Sequence, residues 1–313
     1  MSDGFNTVLG GRVVGRERES DVVLAALATR RHVLLEGPPG TGKSTLLRAV
    51  ASELGSELFL VEGNAELTPA RLLGAFDPAQ VLSTGYSAEA FVDGPMLGAM
   101  RSGGLLYVEE INRVPEETLN VLITAMSERE ANVPRLGRVV AAPGFTVVAA
   151  MNPFDAVGTA RISGAVYDRT CRVTMGYQSA DDEVAITARE VTALFDSLGA
   201  GSLNGSTADE RVRRIVDLVR ATRAHPDIRQ GASVRAAIDL ETLCRQLAVR
   251  RGVTADEPGV TRDAAVAALS GRIRLFEGSG RTADDVVVEL WRRFFDGTSR
   301  AAPEPSQGKD AAR

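Results

Sequence analysis

A nine-residue segment in the first fifth of the chain has the composition of a phosphate-binding loop. It fits the pattern G-x-x-x-x-G-K-[ST] and runs Gly37, Pro38, Pro39, Gly40, Thr41, Gly42, Lys43, Ser44 and Thr45. Glycines let successive backbone N–H groups turn toward a polyphosphate, and the start of a following helix adds a positive dipole. The segment therefore predicts nucleotide binding, with the Lys43 ammonium on the outer phosphates and the Ser44 hydroxyl on Mg²⁺.

Lysine is almost absent from the rest of the chain. Of 36 Lys and Arg residues, only Lys43 and Lys309 are lysines. Lys309 lies in a polar C-terminal tail that we predict to be disordered, because this tail lacks any hydrophobic periodicity. In a chain that otherwise uses arginine, a single lysine in the folded part favours a site that needs a compact ammonium group.

Polar side chains follow two later apolar runs. Glu109 and Glu110 come directly after the run at 105–108, and Asn152 follows the run at 145–150. Ligands of parallel sheets bind at the carboxyl ends of strands. There, Glu109 is suited to hold Mg²⁺ through its water shell, and Glu110 to take a proton from an attacking water. Asn152 is suited to orient that water, although a solvated turn is the alternative explanation at each of these positions.

The elements that must position these residues follow from the hydrophobic pattern. Five short apolar runs do not alternate with polar residues, which predicts an α/β fold with a parallel sheet covered on both faces. From about residue 206 the apolar spacing becomes helical in three segments, which predicts a small all-α domain. The predicted regions are an N-terminal segment (1–12), a large α/β nucleotide-binding domain (13–178), a helical domain (179–298) and the disordered tail (299–313).

Composition excludes several classes of protein. The 313 residues are 44% hydrophobic and 25% charged, which is typical of globular proteins, and no apolar run is long enough to span a membrane. Without a signal-peptide pattern, we expect a cytoplasmic location. A net charge of -5 argues against nucleic acid as a partner. The spacing of Cys171 and Cys244 supports neither a disulfide framework nor a zinc site.

Taken together, these motifs resemble the AAA+ ATPase superfamily and, within it, the MoxR family. The resemblance spans about residues 13–295, and its order of motifs is more specific than any single one apart from the phosphate loop. One departure is Glu109, where the family usually has Asp. The supporting segments are Val14-Gly15-Arg16-Glu17, the phosphate loop, Gly94-Pro95-Met96, Glu109-Glu110-Ile111-Asn112-Arg113, Ala150-Met151-Asn152-Pro153, Tyr167-Asp168-Arg169 and Gly231-Ala232-Ser233-Val234-Arg235.

The resemblance implies a P-loop AAA+ core with a small α-helical lid, and an ATP hydrolase that uses Mg²⁺. Lys43, Ser44 and Glu109 would hold MgATP. Glu110 would activate water, and Asn152 would serve as sensor 1. The resemblance further implies that Arg235 is the sensor-2 arginine and that Arg169 is an arginine finger for the nucleotide of a neighbouring subunit. The alternatives for the finger are Arg113, Arg161 and Arg172.

The family also implies partners. We expect a homo-oligomeric ring, most simply a hexamer, that remodels, assembles or matures client proteins, often with a partner that carries a von Willebrand factor A domain. Two insertions are expected, at 75–91 and as a hairpin between 130 and 145. In related rings such elements face the pore or a partner, and solvated loops are the alternative.

Three other functions stay open at this point. A nucleic-acid motor of the same superfamily would place the hairpin residues Arg135 and Arg138 on phosphates, against the acidic charge of the chain. A small-molecule kinase would use the same phosphate loop as a monomer. A nucleotide-gated binding module with negligible hydrolysis would be compatible with Glu109 in place of Asp.

Overall fold

The computed structural model describes residues 13–153, 164–199 and 206–296, except for the side chains of residues 206 and 207. The N-terminal segment, Arg161 and the C-terminal tail lie outside the described residues. The chain forms two compact units that divide between Gln178 and Ser179. Each unit has its own hydrophobic core.

The first unit is built on a five-stranded parallel sheet whose strands lie in the order β2 (Leu58–Glu62), β5 (Leu105–Glu109), β8 (Thr146–Met151), β1 (His32–Glu36) and β9 (Thr170–Thr174). The prediction of an α/β fold with a parallel sheet flanked by helices is confirmed. The central strands β1, β5 and β8 are almost wholly buried, whereas the edge strands β2 and β9 are half-exposed.

Helices cover both faces of this sheet. Alternate residues of a strand enter different cores. Leu34 belongs to the core that contains Met96 and Leu122, whereas Val33 and Leu35 belong to the core that contains Val23 and Leu46. This arrangement explains why the strands read as continuous apolar runs. The helices of the unit are α1 (Glu17–Ala28), α2 (Lys43–Glu53), α3 (Pro69–Leu73), α4 (Pro78–Thr84), α5 (Pro95–Ser102), α6 (Glu116–Glu128) and α7 (Gly164–Asp168).

Both insertions expected from the sequence are present. In the first, β3 (Gly74–Phe76) pairs antiparallel with β4 (Phe91–Asp93), and α4 lies between them. The second is a hairpin of β6 (Glu130–Val133) and β7 (Gly137–Val140). The guanidinium carbon of Arg135 lies 3.9 Å from the ring centroid of Tyr86, so the two insertions contact each other through a cation–π pair.

The second unit contains more helices than the three that the apolar spacing indicates. It comprises α8 (Ala180–Ser197), α9 (Ser206–Ala221), α10 (Val234–Arg251), α11 (Pro258–Leu269) and α12 (Ala283–Phe295), with a short antiparallel pair of β10 (Ile228–Gln230) and β11 (Arg274–Leu275). The pattern missed α11 because this helix carries alanines on both its buried and its exposed face and buries a threonine, so the contrast between its two faces is weak.

A buried ion cluster joins helices of the second unit. The carboxylate of Glu241 is fully buried and accepts hydrogen bonds from Arg211, at 2.8 and 2.9 Å, and from Arg245, at 2.7 Å. No helix in the described parts of either unit is long and apolar enough to cross a lipid bilayer.

Candidate nucleotide site

The phosphate loop connects the end of β1 to the start of α2. Gly40 and Gly42 adopt φ of 76° and 86°, the left-handed region that side chains with a Cβ rarely enter, so these two positions require glycine. α2 begins at Lys43 and is anchored by the buried Leu46 and Leu47. The Lys43 ammonium donates hydrogen bonds to the carbonyl of Gly37 at 2.8 Å and to that of Pro38 at 3.0 Å. The ammonium therefore lies within the curve of the loop.

Arg16 braces this loop, a role that the sequence did not indicate. Its guanidinium is only 4% exposed and donates to the carbonyls of Thr41, at 2.8 Å, and Gly176, at 2.6 Å. A third hydrogen bond, to Glu19, orients the side chain. Arg16 thus links the phosphate loop, at Thr41, to the segment just after β9, at Gly176. The only sequence signal was its place in the Val14–Glu17 segment.

Ser44, Tyr107 and Glu109 form one cluster of oxygen atoms beside the loop. The Ser44 hydroxyl donates to the Glu109 carboxylate, and the Tyr107 hydroxyl lies 3.1 Å from Ser44 and donates to Glu109 at 3.0 Å. Tyr107 and Glu109 share a face because they are two residues apart on β5. Burial raises the pKa of Tyr107 above its usual value, so the phenol stays protonated and keeps its role as donor. The extra methylene of Glu109 therefore does not keep its carboxylate from Ser44.

This cluster fits Mg²⁺ by the chemistry of its donors. A hydroxyl and a carboxylate oxygen are hard ligands, and Mg²⁺ is commonly bound through one or two such protein groups together with substrate phosphates. Tyr107 was not among the residues singled out in the sequence. The available signal was a tyrosine in an otherwise aliphatic strand, two positions before the acid.

Glu110 directly follows β5 and adopts a left-handed conformation, with φ of 49° and ψ of 46°. Such a conformation is uncommon for a residue with a Cβ and is enriched at functional sites. Its carboxylate pairs with Arg113, with 2.8 Å between Oε2 and Nε, and both side chains are more than 40% exposed. Exposed pairs of this kind contribute at most about 1 kcal/mol. The carboxylate is therefore held in place and stays accessible.

Asn152 follows β8, the strand that lies between β1 and β5. The register pairs Met151 with Glu36, and the Gly37 amide donates to the Met151 carbonyl at 3.2 Å. Asn152 therefore lies at the carboxyl end of the sheet, as do the phosphate loop and Glu109, and it is half-buried there. The fold brings together the residues predicted from three separate segments of the chain.

Arg169 lies at the amino end of the sheet, opposite the end that holds the phosphate loop. It precedes Thr170, which pairs with His32 at the start of β1, whereas the phosphate loop follows Glu36 at its end. Four residues of strand separate these ends by about 13 Å. The Arg169 guanidinium donates to the hydroxyl of Ser127 and, at 3.0 Å, to the carbonyl of Ala165.

The alternative arginines differ in their surroundings. Arg172 pairs with the buried carboxylate of Glu36, which also accepts a hydrogen bond from the Tyr167 hydroxyl at 2.7 Å. Arg113 pairs with Glu110. Arg161 lies outside the described residues. Arg172 and Arg113 thus each have a carboxylate partner within their own chain close to the carboxyl end of the sheet.

Arg235 belongs to the second unit, where it is an exposed residue in the first turn of α10. Ser233 stands at the N-cap of this helix, although its side chain makes no capping hydrogen bond. The hairpin arginines considered for phosphate contacts are both engaged in the first unit. Arg138 pairs with Glu130, and Arg135 packs on Tyr86.

The phosphate loop after β1, the acidic end of β5 and this strand order define a P-loop nucleotide-binding domain of the AAA fold. Residues 32–170 match the family model of the AAA domain in its dynein-related subfamily. The chain is 30% identical over 235 residues to an uncharacterized protein of Staphylococcus epidermidis, covering 73% of this chain and 84% of that protein. This chain belongs to the same family, that of AAA ATPases, and is an ATP hydrolase.

Two further similarities agree with this assignment. The uncharacterized protein YeaC of Bacillus subtilis is 29% identical over 242 residues, covering 73% of this chain and 72% of YeaC. The Holliday junction branch migration motor RuvB of Thermotoga maritima superposes with a TM-score of 0.52 at 18% identity, covering 81% of this chain and 70% of RuvB. At that identity, the likeness to RuvB concerns the fold.

Proposed function

We propose that the chain is a MoxR-like AAA+ ATPase that hydrolyses ATP in a homo-oligomeric ring, most simply a hexamer, to remodel, assemble or mature client proteins. The observation that carries the proposal is the separation of the two predicted half-sites. The residues that grip the nucleotide lie at the carboxyl end of the sheet, and Arg169 lies at its amino end. Arg169 can then complete only the site of another subunit.

In this proposal the carboxyl end of the sheet binds ATP and prepares water for attack. Lys43 moves from the loop carbonyls to the outer phosphates. Ser44 and Glu109 would hold Mg²⁺, which would neutralise the developing phosphate charge. Asn152 orients the water, and Glu110 takes its proton as the water oxygen bonds to the γ-phosphorus and ADP leaves.

Two arginines complete the reaction. Arg169 of a neighbouring subunit stabilises the charge on the transferred phosphoryl group, a contribution of about 10³ to 10⁵ in rate where such fingers act. Arg235 of the second unit serves as sensor 2 and couples that unit, as a lid, to the nucleotide state. A lid shifts only as far as ATP and ADP bind its two positions with unequal affinity.

The client and its recruitment follow from the resemblance alone. We propose a cytoplasmic partner with a von Willebrand factor A domain, since the MoxR family implies one. A Glu110→Gln chain should retain ATP and hold this partner long enough for co-purification from cells. An AAA+ nucleic-acid motor would instead show ATP hydrolysis that DNA stimulates.

The test of the ring is a mixing experiment. Arg169→Ala subunits retain Glu110, and Glu110→Gln subunits retain Arg169, so each variant alone should be nearly inactive. In mixed rings some interfaces join an intact Glu110 to an intact Arg169, and turnover should recover. Mixed assembly without recovery would contradict action between subunits. Turnover per subunit that stays constant on dilution, with phosphate transferred to a metabolite, would indicate a monomeric kinase.

A further inference from the structure

A cavity of about 440 Å³ opens at the amino end of the sheet, and four arginines line it. We call it the arginine cavity. Its other polar lining residues are His32, Ser127, Asp168, Thr170 and Cys171. The cavity lies at the opposite end of β1 from the phosphate loop, because His32 begins the strand that the loop follows.

The four arginines come from three separate loops at the amino end of the sheet. Arg30 and Arg31 lie in the turn between α1 and β1, and Arg30 adopts a left-handed φ of 58°. Arg129 is the C-cap residue directly after α6, also with a left-handed φ, of 55°. Arg169 precedes β9, whose first residue pairs with the first residue of β1. The parallel sheet thus collects four guanidinium groups from three places in the sequence.

Carboxylates of the chain do little to neutralise this charge. Asp168 is the one acidic residue that lines the cavity, and its side chain is 84% exposed and 3.9 Å from Arg169. Arg129 donates to the carbonyls of Ala142, Pro143 and Phe145, and these neutral groups leave its positive charge in place. The side chains of Arg30 and Arg31 are exposed and form no ion pair or hydrogen bond within the described parts of the chain.

The positive charge of the arginines also affects the protonation of His32. Burial, followed by the charges of Arg129 and Arg31, lowers the pKa of this histidine. Its Nδ1 accepts a hydrogen bond from the Val147 amide at 2.9 Å, and Nε2 lies 3.2 Å from the Met126 carbonyl, which suits a neutral ring with its proton on Nε2. The wall of the cavity is therefore positive without a charged histidine, and it is suited to an anion.

We propose that the arginine cavity receives the triphosphate of the ATP bound to a second copy of this chain, with Arg30 and Arg31 as phosphate ligands beside Arg169. The inference rests on the proposed ring and extends it from one arginine to a cationic surface. A triphosphate carries several negative charges in a row, and guanidinium groups bind such oxygens with paired hydrogen bonds. Several cations from separate segments suit a chain of phosphates better than one small anion.

Arg30 and Arg31 are the residues to test. Because they hold no other side chain in the described structure, replacing them should leave folding intact. Arg129 is less suitable, since it also satisfies three backbone carbonyls. The matched control is Arg262→Gln, which removes an exposed positive charge on α11 in the second unit.

The experiment measures ATP turnover and ATP affinity of the Arg30→Gln/Arg31→Gln variant. Hydrogen bonds to charged groups are stronger than those between neutral groups, so loss of one or two should lower turnover about 10-fold or more. The affinity of dilute subunits for a fluorescent ATP analogue should stay within about twofold, and Arg262→Gln should resemble the wild type. The Arg30→Lys/Arg31→Lys variant keeps the charge and should retain more activity than the glutamine variant.

Mixing distinguishes an action between subunits from a structural defect. Glu110→Gln subunits have intact arginine cavities, and the double glutamine variant has an intact Glu110. Recovery of turnover in mixed rings would support the proposal, because a damaged nucleotide site in the double variant would not recover.

Three results would overturn the inference. Wild-type turnover by the double variant would remove Arg30 and Arg31 from the reaction, while loss of activity in Arg169→Ala would still support the ring. Failure of recovery in mixed rings would assign the defect to the variant's own fold. A second equivalent of inorganic triphosphate bound by dilute wild-type subunits, and lost in the double variant, would place the anion in the same chain. Turnover that depends on neither concentration nor Arg169 would contradict the proposed function itself.

Discussion

The two ends of β1 hold opposite chemistry. At the carboxyl end, the phosphate loop holds a single ammonium group, and the oxygen atoms of Ser44, Tyr107 and Glu109 form a cluster beside the loop. At the amino end, arginines line a cavity with one exposed carboxylate. A buried strand of about 13 Å separates the two, and a hydrogen-bonded parallel sheet does not fold back to join its ends. Under the proposed function, a chain built in this way would need a second copy to complete its reaction.

The largest expected effect comes from Arg169→Ala. Turnover should fall by about 10³-fold while ATP affinity stays nearly unchanged, because the guanidinium lies at the far end of the sheet from its own phosphate loop. Lys43→Ala is the counterpart at the other end and should abolish binding instead. Steady-state phosphate release and calorimetry with MgATP would measure both. Equal loss of affinity in the two variants would remove the distinction between the ends.

Glu110→Gln should lower turnover by about 10²-fold and leave ATP binding intact, since only the proton acceptor is lost. The control is Glu117→Gln, an exposed glutamate in the first turn of α6. Single-turnover measurements would separate binding from cleavage. Unchanged cleavage by Glu110→Gln would move the role of base to another residue.

Tyr107→Phe tests the oxygen cluster in a milder way. The change removes the hydroxyl that contacts both Ser44 and Glu109 while the buried ring is kept. One hydrogen bond of about 1 kcal/mol predicts a loss of about fivefold in turnover, with a higher Mg²⁺ requirement. Phe145, whose buried ring lies away from these contacts, provides a control through Phe145→Leu. A Mg²⁺ dependence like that of the wild type would limit Tyr107 to packing.

The smallest effect concerns His32 and the charge at the amino end. Because the folded protein lowers the pKa of His32, the unfolded chain binds more protons below pH 6.5. The stability that His32 contributes is therefore fully present above pH 6.5 and is lost as the pH falls toward the folded pKa, by at most about 1.4 kcal/mol per pH unit.

Denaturant unfolding between pH 8 and pH 5.5 would measure this loss against His32→Gln, which does not titrate. Arg31→Gln removes one charge that lowers the His32 pKa. This variant should therefore lose less stability between pH 8 and pH 5.5 than the wild type does. An identical pH dependence of stability in all three proteins would show that the arginine charges do not affect the pKa of His32.

Much of the fold could be predicted because it depends on local pattern. The five apolar runs predicted the five strands of the sheet, and the phosphate loop lies where the pattern placed it. The helices of the second unit were less visible: α11 has alanines on both its buried and its exposed face, so its two faces differ little in hydrophobicity. Tyr107 was missed because a tyrosine in a buried strand more commonly packs than binds.

What the sequence determined by itself was which residue types could grip a phosphate and which runs could form a buried parallel sheet, since glycine conformation and hydrophobic spacing act over a few residues. Only the tertiary structure decided which arginines lie at the carboxyl end of the sheet and which lie at its amino end. Arg16 reaches a carbonyl 160 residues away, Arg172 meets Glu36, and four arginines from three segments meet at one cavity. Such contacts depend on how the strands are ordered, and strand order is fixed by packing across the whole sheet.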